Sequence, residues 1–215
     1  MNNKQHHYMK IKSYLFCSVV LLGISSCKTI AITNNEPLDT MVLVTGDTLY
    51  GKVDYFKEGF AWSEFYKKIR LTDTKGRKKR FKRKKIRSYS INGDDYESYR
   101  LDLETKLFHN GRLFDTKYYI DEKGDQHFLK VKTKGKLSHY ELEWIDRDNN
   151  DLESVDLIKK AKHGFFVPAE NGLSRVLKKV VSDYLSDCPA VQKKIMEKEF
   201  KYVFQVVDFY NENCE

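Results

Sequence analysis

The sequence is poor in the residues that keep chains unfolded or irregular. Only 3 of its 215 residues are proline and 11 are glycine, which excludes collagen-like and low-complexity classes. No acidic residue precedes Glu36. The one sustained apolar run, Tyr14 to Ile24 (YLFCSVVLLGI), covers 11 residues, whereas spanning a bilayer takes roughly 20. HxH and HExxH spacings are missing among His109, His127, His139 and His163, and CxxC, GxSxG, P-loop and glycine-rich dinucleotide motifs are also missing. From the sequence we therefore assign no catalytic residue, metal ligand or cofactor. Ser-His-Asp and Cys-His pairings stay open, because geometry and not sequence order defines them.

What is present begins with the N-terminus. Lys4, Lys10 and Lys12 precede the apolar run, and Ser25-Ser26-Cys27 follows it. A positive segment, a short apolar one and small residues at the exit are the parts of a secretory signal. Ile24-Ser25-Ser26-Cys27 resembles the bacterial lipobox, an aliphatic residue and two small ones before a cysteine. The resemblance implies cleavage before Cys27, a lipid on its thiol, and anchoring to the membrane of a bacterial cell envelope. Two or more acyl chains give stable anchoring, each buried methylene contributing about 0.8 kcal/mol. In signals of this kind Lys28, in place of Asp, favours the outer membrane. The expected organisation is a signal peptide at 1–26, a tether at 27–39 around Asn-Asn-Glu-Pro, a β body at 40–168 and a helical segment at 169–215.

Losing residues 1–26 removes three lysines and no acids, so the formal charge falls from +8 to +5. About 190 residues remain, enough for one domain with a core. With 14 Tyr and 13 Phe the chain reads as folded. Cys17 leaves with the signal and Cys27 takes the lipid, leaving Cys188 and Cys214. An even pair in an oxidising compartment reads as a disulfide; the alternative, a reactive or metal-binding thiol pair, has no nearby histidine.

Between Thr40 and about Phe166 short alternating segments recur, parted by turn signals every 8–15 residues. Thr48–Tyr55 puts Leu49, Gly51, Val53 and Tyr55 on one face after Thr45-Gly46-Asp47. Further strands are expected at 67–72, 77–81, 87–91, 96–101, 105–108, 112–120, 127–133 and 137–146, whereas 152–162 fits strand or helix. Without crossover helices the pattern predicts an antiparallel sheet curled into a barrel or sandwich. The period then changes: Leu173, Val176, Leu177, Val180, Val181, Tyr184 and Leu185 form a helical stripe. Pro189 suits the first turn of a second helix, which carries Val191, Ile195 and Met196. Val203, Val206, Val207 and Tyr210 mark a third. The fold class is α+β, and antiparallel packing of the last two helices would bring Cys188 and Cys214 to one end.

Gly46-Asp47-Thr48-Leu49-Tyr50-Gly51-Lys52-Val53, Tyr184-Leu185-Ser186-Asp187-Cys188-Pro189 and Phe209-Tyr210-Asn211 together resemble segments of uncharacterised exported proteins of Gram-negative bacteria. That resemblance implies an exported β-rich protein and carries over no catalytic residue.

The loudest local feature is Lys75–Arg87, KGRKKRFKRKKIR, with ten basic residues in thirteen. Lys78, Lys79, Arg80, Lys82, Arg83, Lys84 and Lys85 are candidate ligands for an anionic lipid or polymer, each contributing about 1 kcal/mol near an anionic surface. The plainer reading is a solvated hairpin with Phe81 and Ile86 turned inward. Export argues against nucleic acid as the partner. Asp146-Arg147-Asp148-Asn149-Asn150-Asp151 imitates a calcium loop, but Asp151 stands where glycine belongs and Leu157 where glutamate belongs. His127 and His139 are a possible cross-strand pair. Trp62, Phe65, Tyr66, Tyr118, Tyr119 and Trp144 suit a half-buried sheet better than a ligand groove. The sequence thus predicts a lipid-anchored, non-catalytic binding or scaffolding module with an envelope protein or anionic polymer as partner; the other readings are an envelope hydrolase and a polyanion binder.

Overall fold

A computed structural model of the chain describes residues 38–55, 68–109, 112–145, 151–169 and 175–214. Hairpins organise the first part. β1 (Asp39–Leu43) pairs antiparallel with β2 (Thr48–Tyr55). β2 pairs with β3 (Lys68–Thr72), and β3 with β4 (Lys78–Lys82), which forms the outer edge. A 3-10 turn at Arg83–Lys85 leads into β5 (Ile86–Ile91), which returns to the other side of β1. The expected alternation of β2 is present: Gly51 and Val53 are buried, and Tyr50 is exposed. Gly51 is also required by space, because a Cβ there would lie 2.2 Å from the carbonyl oxygen of Thr72.

Asn92 (φ 53°) and Gly93 (φ 88°) turn the chain from β5 into β6. Two left-handed residues match the twist of a two-residue hairpin, which is why Asn-Gly marks such turns. β6 (Asp94–His109) is one strand where two shorter ones are expected from the sequence. It changes partners along its length. Asp94–Glu97 pair with β5, Leu101–His109 with β7 (Arg112–Ile120), and Tyr96–Leu101 with β8 (Asp125–Thr133) along the opposite edge. β8 pairs with β9 (Leu137–Ile145), β9 with β10 (Leu152–Lys160), β10 with β11 (Phe165–Ala169) and β11 with β7. The pairing of β6 with β8 closes these six strands into an antiparallel barrel, and β1–β5 extend from it. The α+β class holds, and of the two architectures offered by the alternation the barrel is the one formed.

The barrel is filled. Leu101, Leu129, Tyr140, Leu142, Leu157 and Phe166 make its interior, as small closed barrels require. Tyr96 and Phe128 belong instead to the cluster of Met41, Val53, Ile69, Phe81, Ile86 and Tyr89 beneath the β1–β5 extension. Three helices follow: α1 (Arg175–Tyr184), α2 (Pro189–Met196) and α3 (Val203–Asn213). Val181, Leu185, Val191, Ile195, Val203, Val206, Val207 and Tyr210 pack on Leu137, Ile158, Val167 and Ala169. The outward face of β9–β11 is therefore covered, and Leu137–Tyr140 are buried on both faces. Met196, expected on the apolar stripe of α2, is exposed. Val180 and Tyr184 are partly buried against the helical core; Leu173 lies outside the described residues.

The helices are also held by polar contacts. Asn211 accepts from the N–H of Leu137 at 2.8 Å and donates to its carbonyl at 2.9 Å, mimicking a neighbouring strand. Asp187 accepts from Tyr210 at 2.7 Å and from Lys160 at 2.6 Å. The Tyr184 hydroxyl accepts from the N–H of Lys160 at 2.8 Å. Cys188 and Cys214, buried at the start of α2 and the end of α3, are joined by a disulfide with Cα atoms 5.7 Å apart.

Candidate functional site

Three surfaces carry enough chemistry to be considered. The first is a polar cluster at the barrel's Lys134 end. The Tyr99 hydroxyl donates to Glu97 at 2.9 Å and lies 2.9 Å from that of Tyr140. Lys134, from the β8–β9 turn, donates to Glu97 and to Tyr140 and sits 4.6 Å over the Tyr140 ring. Burial would raise the Glu97 carboxyl, but hydrogen bonds from Lys134 and Tyr99 outweigh it and hold it below the ordinary value. Burial and the neighbouring phenol drive Tyr99 upward, and burial foremost pushes Tyr140 up to about 12. Burial, then the charge of Lys134, lowers Lys159. Phenols held protonated this firmly are poor bases at neutral pH, so the cluster closes the barrel end.

The second is an open groove of about 570 Å³ on the outer face of β8–β10, beside the start of α3. Its floor carries Lys132 and Thr133 from β8, His139 and Glu141 from β9, and Ser154 and Asp156 from β10. On β9 and β10 these are the outward positions of strands whose alternate residues fill the barrel, and on β8 the neighbours Lys132 and Thr133 both reach the groove where the register shifts between Val131 and Thr133. Lys132 donates to Glu141 at 3.0 Å. His139, 4% exposed, has Nε2 2.6 Å from Asp156 Oδ1. A carboxylate can only accept, so the proton resides on Nε2. Nδ1 of the same ring is buried and finds no hydrogen-bond partner among the described residues. The wall is aromatic: Tyr202 and Phe204 stack at 5.7 Å and 11° and are 45% and 47% exposed.

His139, Asp156 and Ser154 share this groove without forming a nucleophile triad. His139 is level with Ile158 in the register. Its ring reaches along β10 to Asp156, and Ser154 lies two residues beyond that carboxylate. Neither ring nitrogen bonds the Ser154 hydroxyl: Nε2 is on Asp156 and Nδ1 has no partner among the described residues.

The third is the basic surface. The β3–β4 register sets Lys68 opposite Lys82, Arg70 opposite Arg80, and Thr72 opposite Lys78. Like charges directly opposite oppose one another, and Asp54 on β2, paired to Arg70, supplies one counter-charge. The basic run does not form a hairpin of its own, as the sequence suggests. Asp73 accepts from the N–H groups of Lys75 and Arg77, both at 2.9 Å, and turns the chain at the run's start. Phe81 anchors β4 beneath the sheet, while Ile86 anchors β5 across the 3-10 turn. The seven candidates are thus divided: Lys78, Arg80 and Lys82 share one face, Lys79 lies 5.1 Å over the Phe81 ring, and Arg83, Lys84 and Lys85 occupy the turn.

His127 sits opposite Tyr99 and His139 opposite Thr133, so these two histidines are not cross-strand partners. Burial, then the charge of Arg83, lowers His127. His163 Nδ1 lies 3.1 Å from the Tyr184 hydroxyl, and burial, then Lys160, lowers its pKa. Trp144 is exposed, and Tyr118 and Tyr119 are half-buried. Cys27, residues 28–37 of the tether, Trp62, Phe65, Tyr66 and the Asp146–Asn150 turn lie outside the described residues, whereas Asp39, expected to end the tether, is the buried first residue of β1. Among the described residues no three His, Cys, Asp or Glu side chains gather as a metal site. Sequence reasoning missed the groove, since Tyr202 and Phe204 join His139 and Asp156 only through tertiary packing. Comparison with family models, curated proteins and solved structures finds no match for this chain.

Asp187 and Glu97 make stability depend on acid. Burial works against the Asp187 carboxyl, yet hydrogen bonds from Lys160 and Tyr210 keep it below its ordinary 3.8. Glu97 is likewise below its ordinary 4.5. A depressed folded-state pKa contributes stability above the unfolded value and loses it as pH falls. Melting temperature should therefore hold from neutrality to about pH 5 and drop below about pH 4. Lys160→Met should flatten that drop in pH-dependent thermal melts.

Proposed function

We propose that this chain is a lipid-anchored, non-catalytic binding module of a bacterial cell envelope, held at Cys27 and facing its ligands with the outside of a closed barrel. The observation that carries the reading is the filled barrel interior: with Tyr140, Leu142, Leu157 and Phe166 inside, binding is left to the outer surfaces. The Cys188–Cys214 bridge supports an oxidising compartment, and the lipobox-like Ile24–Cys27 supports the anchor. The test is an intact, non-reducing mass of protein extracted from membranes. Expected is a chain starting at Cys27 with added acyl mass and two hydrogens fewer at Cys188 and Cys214. An unlipidated chain retaining residues 1–26 overturns the anchor.

A second reading has its own observation. Lys68, Arg70, Lys78, Arg80 and Lys82 lie on one sheet face, which suits an anionic lipid surface or polymer. Lysines on an edge strand also deter strand addition, so binding must be measured. Neutralising Lys78, Lys79, Arg80, Lys82 and Arg83 together should abolish salt-sensitive binding to phosphatidylglycerol vesicles, with each charge near the surface contributing about 1 kcal/mol. Unchanged co-sedimentation would leave edge protection as the role of the run.

A further inference from the structure

We infer that the groove between the β8–β10 face and the start of α3 binds an uncharged oligosaccharide. The inference deepens the binding-module reading and rests on it. Three observations converge.

The wall comes first. Tyr202 and Phe204 are parallel stacked rings, each nearly half exposed. They stand over a polar floor and not against the core that buries Val203, Val206 and Val207. Flat rings pack against the C–H faces of pyranoses, which are apolar above and below and polar around the edge. That contact needs rings exposed as these are.

The floor supplies the matching edge chemistry. Glu141 and Asp156 are directly opposite each other on β9 and β10, so two carboxylates share this part of the floor. Lys132 and Ser154 add donors beside them. Sugar hydroxyls both donate and accept, so a row of mixed groups satisfies them better than a row of one kind. His139 is one of the residues that line the groove, and its buried Nδ1 has no partner among the described residues.

Charge decides against the competing ligands. The chain as a whole is +8, yet the groove sets Lys132 against Glu141 and leaves the Asp156 carboxylate on a neutral His139, so its floor has no excess of positive charge. Such a floor does not attract a polyanion, which would be drawn to the β3–β4 face instead. A volume of about 570 Å³ lies within the usual span of small-ligand sites, about 300–1,000 Å³.

The test is calorimetric titration of the full chain with two uncharged probes, cellohexaose and hexa-N-acetylchitohexaose. Expected is binding of at least one probe at millimolar or lower concentration. Its affinity should stay constant over roughly a tenfold range of salt, because no net charge is exchanged. Tyr202→Ala/Phe204→Ala should weaken binding at least about tenfold, with melting temperature unchanged since both rings are outside the core. Phe204→Tyr, which keeps the ring, should retain affinity and guards against a folding artefact. Failure of both probes to bind, equal affinity in the double variant, or binding that vanishes with salt would overturn the inference. The titration does not depend on lipid at Cys27, so its failure and failure of the intact-mass experiment are separate results.

Discussion

Replacing both Cys188 and Cys214 with serine is expected to lower stability by about 3–4 kcal/mol. The two residues are separated by 26 positions, and closing a loop of that length removes about this much chain entropy from the unfolded state. The bridge staples the beginning of α2 to the end of α3, and both sulfurs belong to the core shared with Leu137 and Ile158. For a chain of this size the loss corresponds to roughly 7–15 °C in melting temperature. Thermal melts of the double variant, and of the unchanged chain with reductant, should agree with each other. A drop below about 1 kcal/mol would mean that Asn211 and the Tyr210–Asp187–Lys160 contacts already hold the helices in place.

Phe166→Ala should cost about as much, 3–5 kcal/mol by the usual penalty for emptying a buried aromatic site. Phe166 is 0% exposed at the centre of the barrel. It presents edge-to-face contacts to Tyr99 at 5.1 Å and to Tyr140 at 5.3 Å. Closed hydrogen-bonded strands cannot collapse around the void as a helix can shift, so the cavity term should be large. Phe166→Leu, which refills most of the volume, should cost about 1–1.5 kcal/mol. A second readout is spectroscopic. Tyr140 is pushed up to about 12, chiefly by burial, and water entering beside Phe166 should lower its titration toward 10. Denaturant melts and alkaline difference absorbance measure both. A Phe166→Ala variant with wild-type stability and unaltered phenol titration would show that the barrel interior is not the close-packed core described above.

Local signals were legible where a single turn or face settles the structure. Asn92-Gly93 made its hairpin because the positive φ at both positions is a property of those two residues. β2 followed its alternation because one of its faces is covered and the other is not. The 152–162 segment was ambiguous because β10 buries Leu157 and Ile158 side by side, one in the barrel and one beneath the helices. A strand covered on both faces loses the two-residue period that would identify it. β6 was divided in the sequence because its middle section, around Asp102–Glu104, has the polar look of a turn. There the strand continues by exchanging β5 for β7 along one edge, a choice made by distant partners. The strands expected at 67–72 and 77–81 leave room for the turn at Asp73, whose side chain captures the N–H groups of Lys75 and Arg77. What the basic run itself does not reveal is that β4 pairs with β3 and β5 with β1, so its two strands are not each other's partners.

Tyr184, Asp187, Cys188, Tyr210 and Asn211 are the residues that fasten the helices to β9, β10 and each other. Their side chains complete the joint between the helices and the barrel.

By itself, then, the sequence determined most of the elements: alternation specified antiparallel strands and the change of period specified helices. Each of these depends on residues near one another in the chain. Closure of six strands into a barrel, the meeting of Tyr202 and Phe204 with His139 and Asp156, and the division of the basic residues between two faces and a turn were decided by tertiary structure. The physical reason is register: which strands pair, and with what offset, depends on burial integrated over the whole sheet, so the outer row that makes a groove emerges only when the inner row has filled the core.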